Sequence, residues 1–116
     1  MKKPPVALAE EYYTLVGAKN LEGIKNYLHP DVELLGPLGH LKGKEAVVKA
    51  TGEYMNLFGS LTIRSKFGAE DQAMIVYEAD IPGIAKGFPA AVLLSFRDGL
   101  IVKSELFFDG SRFIQR

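Results

Sequence analysis

The first half of the chain carries apolar residues at helical spacing. Pro4-Pro5 opens the first predicted helix, since proline is tolerated in a first turn. Its apolar stripe is formed by Leu8, Tyr12, Leu15 and Val16. Asn20 is a natural N-cap for a short second helix. We expect that helix to end at His29-Pro30, because the residue before a proline is pushed out of helical geometry.

The rest of the pattern predicts one strand, one helix and then four strands. A strand is predicted over residues 31–35, a third helix over 43–58, and further strands at about 61–68, 71–81, 88–97 and 100–109. Asp98-Gly99 between two apolar runs is a strong signal for a two-residue hairpin. This order predicts an α+β fold over residues 1–116 as a single domain, with helices packed on one face of a curved, mostly antiparallel sheet.

The hairpin predicts which side chains share a face of the sheet. A two-residue turn pairs Arg97 with Leu100, so Ala91 and Leu106 fall opposite each other, and we expect their face to be the inner one. The other face is predicted to collect Val92, Leu94, Phe96, Ile101 and Phe107, with Ile75 and Tyr77 alongside. Because both faces are apolar, we predict a homodimer through the outer sheet face.

Composition narrows the classes of function. The chain has 116 residues, 47% of them hydrophobic, and its 14 basic and 14 acidic residues cancel. This balance gives no electrostatic case for a nucleic acid or an anionic membrane. The chain has no cysteine, no apolar run of the ~18 residues that span a bilayer, and no apolar stretch typical of a secretory signal at its start. We therefore expect a cytoplasmic protein.

Short segments in a fixed order resemble the SnoaL-like polyketide cyclase and ketosteroid isomerase group of the nuclear transport factor 2-like superfamily. They are Tyr12-Tyr13-Thr14-Leu15, Asn20-Leu21-Glu22-Gly23-Ile24, Leu28-His29-Pro30-Asp31-Val32-Glu33, Gly36-Pro37, Gly43-Lys44-Glu45-Ala46-Val47, Asp98-Gly99-Leu100-Ile101-Val102 and Phe107-Phe108-Asp109. The resemblance implies a cone of three helices and a curved sheet around a small-molecule pocket, with no cofactor. The fold hosts isomerases, cyclases, epoxide hydrolases and proteins without chemistry, so it does not imply one reaction.

The resemblance to ketosteroid isomerase carries over only in part. Its oxyanion-donor phenol on the first helix falls on Tyr12. Two interpretations of Tyr12 stay open: a hydrogen-bond donor to a ligand carbonyl, or a core tyrosine whose hydroxyl bonds a neighbour. The isomerase's general-base aspartate, just before a proline, falls on Gly36, which has no proton acceptor. Its second oxyanion donor falls on Ala91 or Val92, and neither is polar. We therefore expect no efficient isomerisation of Δ5-3-ketosteroids, since a general base contributes about 10²–10⁴-fold.

The limonene-epoxide-hydrolase type is a second template. Its last-strand aspartate falls on Leu106, its arginine on Glu78 and its middle-strand aspartate on Asp80, so one of the three groups matches. Glu78 and Asp80 alternate with apolar residues on their strand. Two interpretations stay open: a pair of inward carboxylates with one raised pKa, or a solvated pair near Pro82-Gly83.

The two histidines complete the set of candidates. His29 is explained by favourable interaction with a helix C-terminus. His40 lies on the loop before the third helix and is a candidate substitute for the base missing at Gly36, the alternative being a loop histidine without a role. The two are 11 positions apart in no metal-binding pattern, so no metal site is predicted.

The predicted site and function follow. Predicted catalytic residues are Tyr12, His40 and Asp80, and the predicted pocket wall is Gly36, Tyr54, Phe58, Glu78, Ala91, Leu106 and Phe108. The first hypothesis is an isomerase, cyclase or hydrolase acting on a small apolar carbonyl or epoxide, with the usual base absent. The second is a non-catalytic protein that binds a small ligand or acts as a dimeric scaffold. An inward carboxylate or imidazole would separate the two.

Overall fold

Three α-helices lie against one face of a six-stranded sheet in the computed structural model, which describes residues 3–37 and 39–113. The helices are α1 (Pro5–Gly17), α2 (Leu21–Ile24) and α3 (Lys44–Met55), and a 3₁₀ helix, Lys25–Tyr27, continues α2. None of the helices in the described residues is long and apolar enough to cross a membrane.

The sheet is mixed, with one parallel contact. Its strands are β1 (Leu28–Gly36), β2 (Gly39–Lys42), β3 (Ser60–Ala69), β4 (Gln72–Ile81), β5 (Ala85–Arg97) and β6 (Leu100–Phe107), followed by a 3₁₀ helix, Gly110–Phe113. Their order in space is β2-β1-β6-β5-β4-β3, and only β1 and β6 run parallel. The predicted fold class, three helices on a mostly antiparallel sheet, is confirmed.

Local chemistry sets the helix boundaries near the start of the chain. Pro5 stands in the first turn of α1, and the Asn20 side chain accepts a hydrogen bond from the Gly23 N–H at 2.9 Å, as an N-cap should. The second helical segment ends at Tyr27 rather than at His29-Pro30, because β1 already begins at Leu28. The ladder between β1 and β6 is irregular between Leu28 and Glu33, and this irregularity accommodates Pro30, which has no N–H to donate.

The segment before α3 is a strand rather than a loop. Leu35 pairs with His40 and Gly36 with Gly39, so the chain reverses tightly and adds β2 at the edge of the sheet. α3 then begins after Gly43 and ends at Met55, three residues before the predicted end. The short strand places His40 in a fixed register instead of on a free loop.

The hairpin between β5 and β6 contains a bulge that the sequence did not predict. Asp98 and Gly99 have φ of 55° and 77°, as a type I′ turn requires, and Arg97 pairs with Leu100 as predicted. Between Ser95 and Phe96 the register shifts by one residue, so Leu106 pairs with Val92 and not with Ala91. A one-residue shift exchanges the two faces. Ala91 and Leu106 therefore lie on opposite faces of the sheet.

The face that packs on the helices is the one predicted to be outer. The buried side chains of the central strands are Ile75, Tyr77, Val92, Leu94, Phe96 and Ile101, all 7% exposed or less. They pack with Ala9, Tyr13 and Val16 of α1 in one core. The predicted assignment of the inner face is wrong. Alternation along a strand shows which side chains share a face, but it does not show which face packs against the helices. The charged members of β4 and β6 alternate with this set and mark the solvent side.

Candidate active site

A small cavity lies between α1, α3 and the paired strands β1 and β6. Its volume is about 40 Å³. Its wall consists of Tyr12, Tyr13, Val16, Leu34, Val47, Ala50, Thr51, Tyr54, Ser104 and Leu106. The wall is therefore apolar and aromatic, with hydroxyl groups as its polar side-chain atoms.

Tyr12 contributes one of these hydroxyls from the buried stripe of α1. The side chain is 4% exposed. Burial raises the pKa of Tyr12 to about 12, and a hydrogen bond with Thr51 opposes that rise. The Thr51 hydroxyl itself donates to the Val47 carbonyl at 2.8 Å. Near neutral pH Tyr12 is thus a protonated phenol at the cavity wall.

A second group of phenols lies beside the first. The hydroxyls of Tyr54 on α3 and Tyr77 on β4 are 2.7 Å apart, and the ring centroids of Tyr13 and Tyr77 are 5.1 Å apart. Burial raises the pKa of all three phenols, those of Tyr13 and Tyr77 well above the ordinary value. Tyr54 lies in the predicted pocket wall, while Tyr77 was not predicted as a site residue.

Gly36 is the last residue of β1. A Cβ atom built on it would be 3.5 Å from the Cβ of the cavity-lining Leu106, an ordinary contact. Gly36, which falls at the place of the general base in the resemblance to ketosteroid isomerase, therefore faces the cavity-lining Leu106 and has room for a side chain.

Ser104 is a cavity residue that sequence reasoning missed. It pairs with Leu34 of β1, and both side chains line the cavity. Its pairing on the other side, with Leu94, follows from a bulge at Val102 of β6. Ser104 is two residues before the predicted wall residue Leu106 and so lies on the same face of β6, and this alternation is the signal that would have identified it.

Glu78 and Asp80 lie on the outer side of β4. The Glu78 carboxylate pairs with Arg64 at 3.0 Å. Asp80 is exposed and accepts hydrogen bonds from the Gly87 N–H at 2.8 Å and the Ser60 hydroxyl at 3.2 Å. The backbone hydrogen bond from Gly87, followed by that from Ser60, lowers the pKa of Asp80. The interpretation of an inward carboxylate pair is wrong, because the face that these residues share with Ala91 is the outer one.

His40 also lies away from the cavity. It is exposed on β2, and its Nε2 atom is 2.8 Å from the Glu33 carboxylate. That hydrogen bond is the main reason why the pKa of Glu33 is lowered. His40 is in one row with Leu35 and Glu105 on the outer face, so it does not replace a base at Gly36.

Besides Gly36 and Glu78, three more predicted wall residues lie outside the cavity lining. Phe58 is 1% exposed and packs its ring on Tyr54 with centroids 5.4 Å apart. Phe108 packs on Phe88 with centroids 6.2 Å apart. Ala91 lies on the outer face of β5 because its neighbours in the alternation, Val92 and Leu94, face the helices. Phe58 and Phe108 therefore support the core around the cavity rather than contact its contents.

Residues 9–104 match the family model of the SnoaL-like domain. The chain belongs to the SnoaL-like family. No protein with a curated function matches this SnoaL-like sequence.

Solved structures with a similar fold include natural proteins and a designed one. A nuclear transport factor 2-like protein of unknown function from Cytophaga hutchinsonii superposes with a TM-score of 0.83 at 18% identity, covering 99% of this chain and 98% of its own. A steroid delta-isomerase from Pseudomonas aeruginosa superposes with a TM-score of 0.78 at 18% identity, and the match covers 92% of this chain and 84% of that protein. A de novo designed protein with a curved β-sheet superposes with a TM-score of 0.81 at 23% identity, and the match covers 90% of this chain and 84% of that protein. Likeness at these identities shows the nuclear transport factor 2-like fold alone.

The chemistry available to this SnoaL-like domain follows from the lining. The ten cavity-lining residues include no carboxylate and no imidazole. In residues 3–37 and 39–113, no cluster of three or more His, Asp or Glu could hold a metal ion. The cavity offers hydrogen bonds from protonated hydroxyls and apolar contact. It offers no lining group that exchanges a proton near neutral pH without a shift.

Proposed function

We propose that this SnoaL-like domain binds a small uncharged molecule in the cavity between α1 and α3, without acid–base catalysis. The observation that carries the proposal is the lining itself, which combines phenols and hydroxyls with apolar side chains and contains no carboxylate or imidazole. Such a lining suits an apolar ligand that carries one hydrogen-bonding group. The predicted compartment stays the cytoplasm.

The size of the cavity limits the ligand. Pockets for drug-sized molecules are about 300–1,000 Å³, whereas this cavity is about 40 Å³. A steroid or a polyketide would displace core side chains such as Val16 and Val47, which are each 1% exposed. A cyclic ketone with about six heavy atoms is also larger than the cavity, but it is admitted when the partly buried wall side chains Leu34, Tyr54 and Leu106 shift. The ketosteroid reaction stays excluded as a prediction.

Cyclopentanone is expected to bind in this cavity and not elsewhere. Titration into the labelled protein should shift the NMR signals of Tyr12, Ala50 and Leu106 along one saturating curve. Ala50→Leu adds three carbons to the cavity wall and should weaken that binding at least about tenfold, because the ligand and the new side chain compete for the same space. The proposal would be contradicted if cyclopentanone shifts only signals of residues outside the cavity wall, or if it causes the same shifts in Ala50→Leu as in the wild type.

An isomerase or cyclase is the second candidate. Two observations favour it: Tyr12 lines the cavity at the position of an oxyanion donor, and a steroid delta-isomerase shares the fold. Such a reaction also needs a base, and Gly36 supplies none. If a base introduced at Gly36 creates activity, the isomerase or cyclase candidate gains support.

We further propose that the domain acts as a homodimer, through the outer sheet face as the structure arranges it. An apolar band crosses this face and consists of Phe67, Met74, Val76, Ala91, Leu93 and Phe107. Phe67 is 62% exposed and Phe107 49%, and the α-helices all lie against the other face. Exposed apolar surface of this kind is typical of an interaction site.

Charge and area both favour a second copy as the partner. Charges around the apolar band are matched within the face, as in Arg64–Glu78 at 3.0 Å and Lys103–Glu105 at 3.8 Å, so a strongly charged partner would gain little. The sheet has six strands about 4.8 Å apart, and each strand has roughly eight residues with a rise of about 3.4 Å per residue. These dimensions give the outer face an area of roughly 800 Å². That is the area each partner buries in an interface of standard size, about 800 Å².

Phe107→Asp is expected to convert the dimer to a monomer. It places a charge at the β6 end of the apolar band, next to Ala91, where burial would leave the carboxylate unpaired. Sedimentation at tens of micromolar should show the lower mass. Leu57→Asp is the matched control, because Leu57 is 46% exposed after the end of α3 and outside the apolar band. A wild-type protein that sediments as a monomer would refute the dimer.

A further inference from the structure

Ser104 is a polar side chain placed in an apolar core. It is 6% exposed, and apart from the tyrosines it is the only buried polar or charged side chain among the described residues. It stands on β6 between Leu34 of β1 and Leu94 of β5 and faces the cavity. An alanine would fill the same space in the core, so packing does not account for the hydroxyl.

The Ser104 hydroxyl forms no hydrogen bond within the described part of the chain, residues 3–37 and 39–113. Yet no side-chain oxygen there is both sealed from a water-sized probe and unpartnered. The oxygen of Ser104 is therefore reached from the cavity. Since buried polar groups almost always have a partner, a hydroxyl left open to a cavity indicates that the cavity's occupant supplies one.

The other hydroxyls of the wall define what that occupant must offer. Thr51 donates to the Val47 carbonyl at 2.8 Å. Tyr54 and Tyr77 share a hydrogen bond at 2.7 Å. These contacts leave the Ser104 proton without an acceptor on the protein. No charged side chain lines the cavity to balance an ion, so the matching group is an uncharged acceptor oxygen.

We propose that Ser104 determines ligand specificity by donating a hydrogen bond to an uncharged acceptor oxygen, such as that of a ketone or an ester. The inference rests on the proposed ligand-binding function and adds the class of ligand to it. Among molecules of one shape, the residue selects those with an acceptor at this point of the wall.

Cyclopentanone and methylenecyclopentane test the assignment, because they have nearly the same shape and only the ketone has an acceptor. The quantity to measure is the ratio of their two dissociation constants, since the alkene is poorly hydrated and gains affinity for that reason alone. In Ser104→Ala the preference for the ketone should fall about tenfold relative to the wild type, the loss expected for one hydrogen bond between neutral groups. Ser95→Ala, on the outer face of the same hairpin, should leave the ratio unchanged.

Thermal unfolding of the ligand-free variant separates binding from a structural role. Because the hydroxyl has no protein partner, Ser104→Ala should unfold at the wild-type temperature or above it. A lower unfolding temperature together with an unchanged ratio would overturn the assignment. If both compounds bind to the cavity with the same ratio in both proteins, the Ser104 inference fails and ligand binding stands. If neither compound shifts the cavity signals, the proposed function fails as well.

Discussion

At about pH 11 the folded protein is expected to be less stable than at about pH 8 by roughly 4 kcal/mol. The cause is the group of buried phenols at and beside the cavity. Burial raises the pKa of Tyr12 to about 12 and those of Tyr13 and Tyr77 well above the ordinary value. In the unfolded chain all three titrate at about 10.

The sign follows from which state loses protons first. Below about pH 10 both states keep the phenol protons, and the stability is fully present. Between about pH 10 and the raised pKa values only the unfolded chain ionises, so each added pH unit favours unfolding. One group contributes about 1.4 kcal/mol per unit, so Tyr12, Tyr13 and Tyr77 together give roughly 4 kcal/mol at about pH 11, and the raised pKa of the partly buried Tyr54 adds to this loss. That is much of the 5–15 kcal/mol typical of a small domain.

Denaturant unfolding at the two pH values measures this loss, and phenolate absorbance tests its cause. The absorbance of the buried tyrosines should rise only together with unfolding. In Tyr12→Phe the pH-dependent loss should shrink by about one quarter to one third, because one of the contributing phenols no longer titrates. Phenolate absorbance from the buried group at about pH 10 in a protein that is still folded would contradict the expectation.

Gly36→Asp is expected to make the protein an acid–base catalyst. A carboxylate at this position would extend toward Leu106 at the cavity wall, where Cβ has room at 3.5 Å. Its apolar surroundings would raise its pKa toward neutral and make it a stronger base. Removal of an α-proton from a bound ketone would be assisted by the cavity hydroxyls of Tyr12 and Ser104, which can donate to the enolate oxygen.

The rate is measured as hydrogen–deuterium exchange at the α-carbons of cyclopentanone by NMR. The Asp variant should exceed the wild type by about 10²-fold or more, the lower end of what a positioned base contributes. Gly36→Asn is the matched control, because it has the same size and cannot accept the proton. Equal rates for the Asp and Asn variants would mean that the cavity does not hold a ketone near this position, and would count against the isomerase candidate.

Local chemistry let the sequence predict several features unaided. Asn20 caps α2 and Asp98-Gly99 makes the β5–β6 turn, because both depend on side chains within a few positions of the backbone they serve. The α+β fold and the SnoaL-like family follow from the order of such segments. Tyr12 lines the cavity as its place on the apolar stripe of α1 suggested, while its catalytic role stays a prediction.

Tertiary packing decided which side of each strand faces inward. The strands of the meander are apolar on both sides, so alternation alone could not tell the face of Val92 from the face of Ala91. Val102, an extra residue in β6 opposite the step from Ser95 to Phe96, then reversed the relation between β5 and β6, so that Ser104 and Leu106 face the cavity. A bulge costs one local ladder contact and is selected by the packing of the whole sheet against the helices. For that physical reason the sequence predicted the strands and the turn, but the wall of the cavity was decided by the fold.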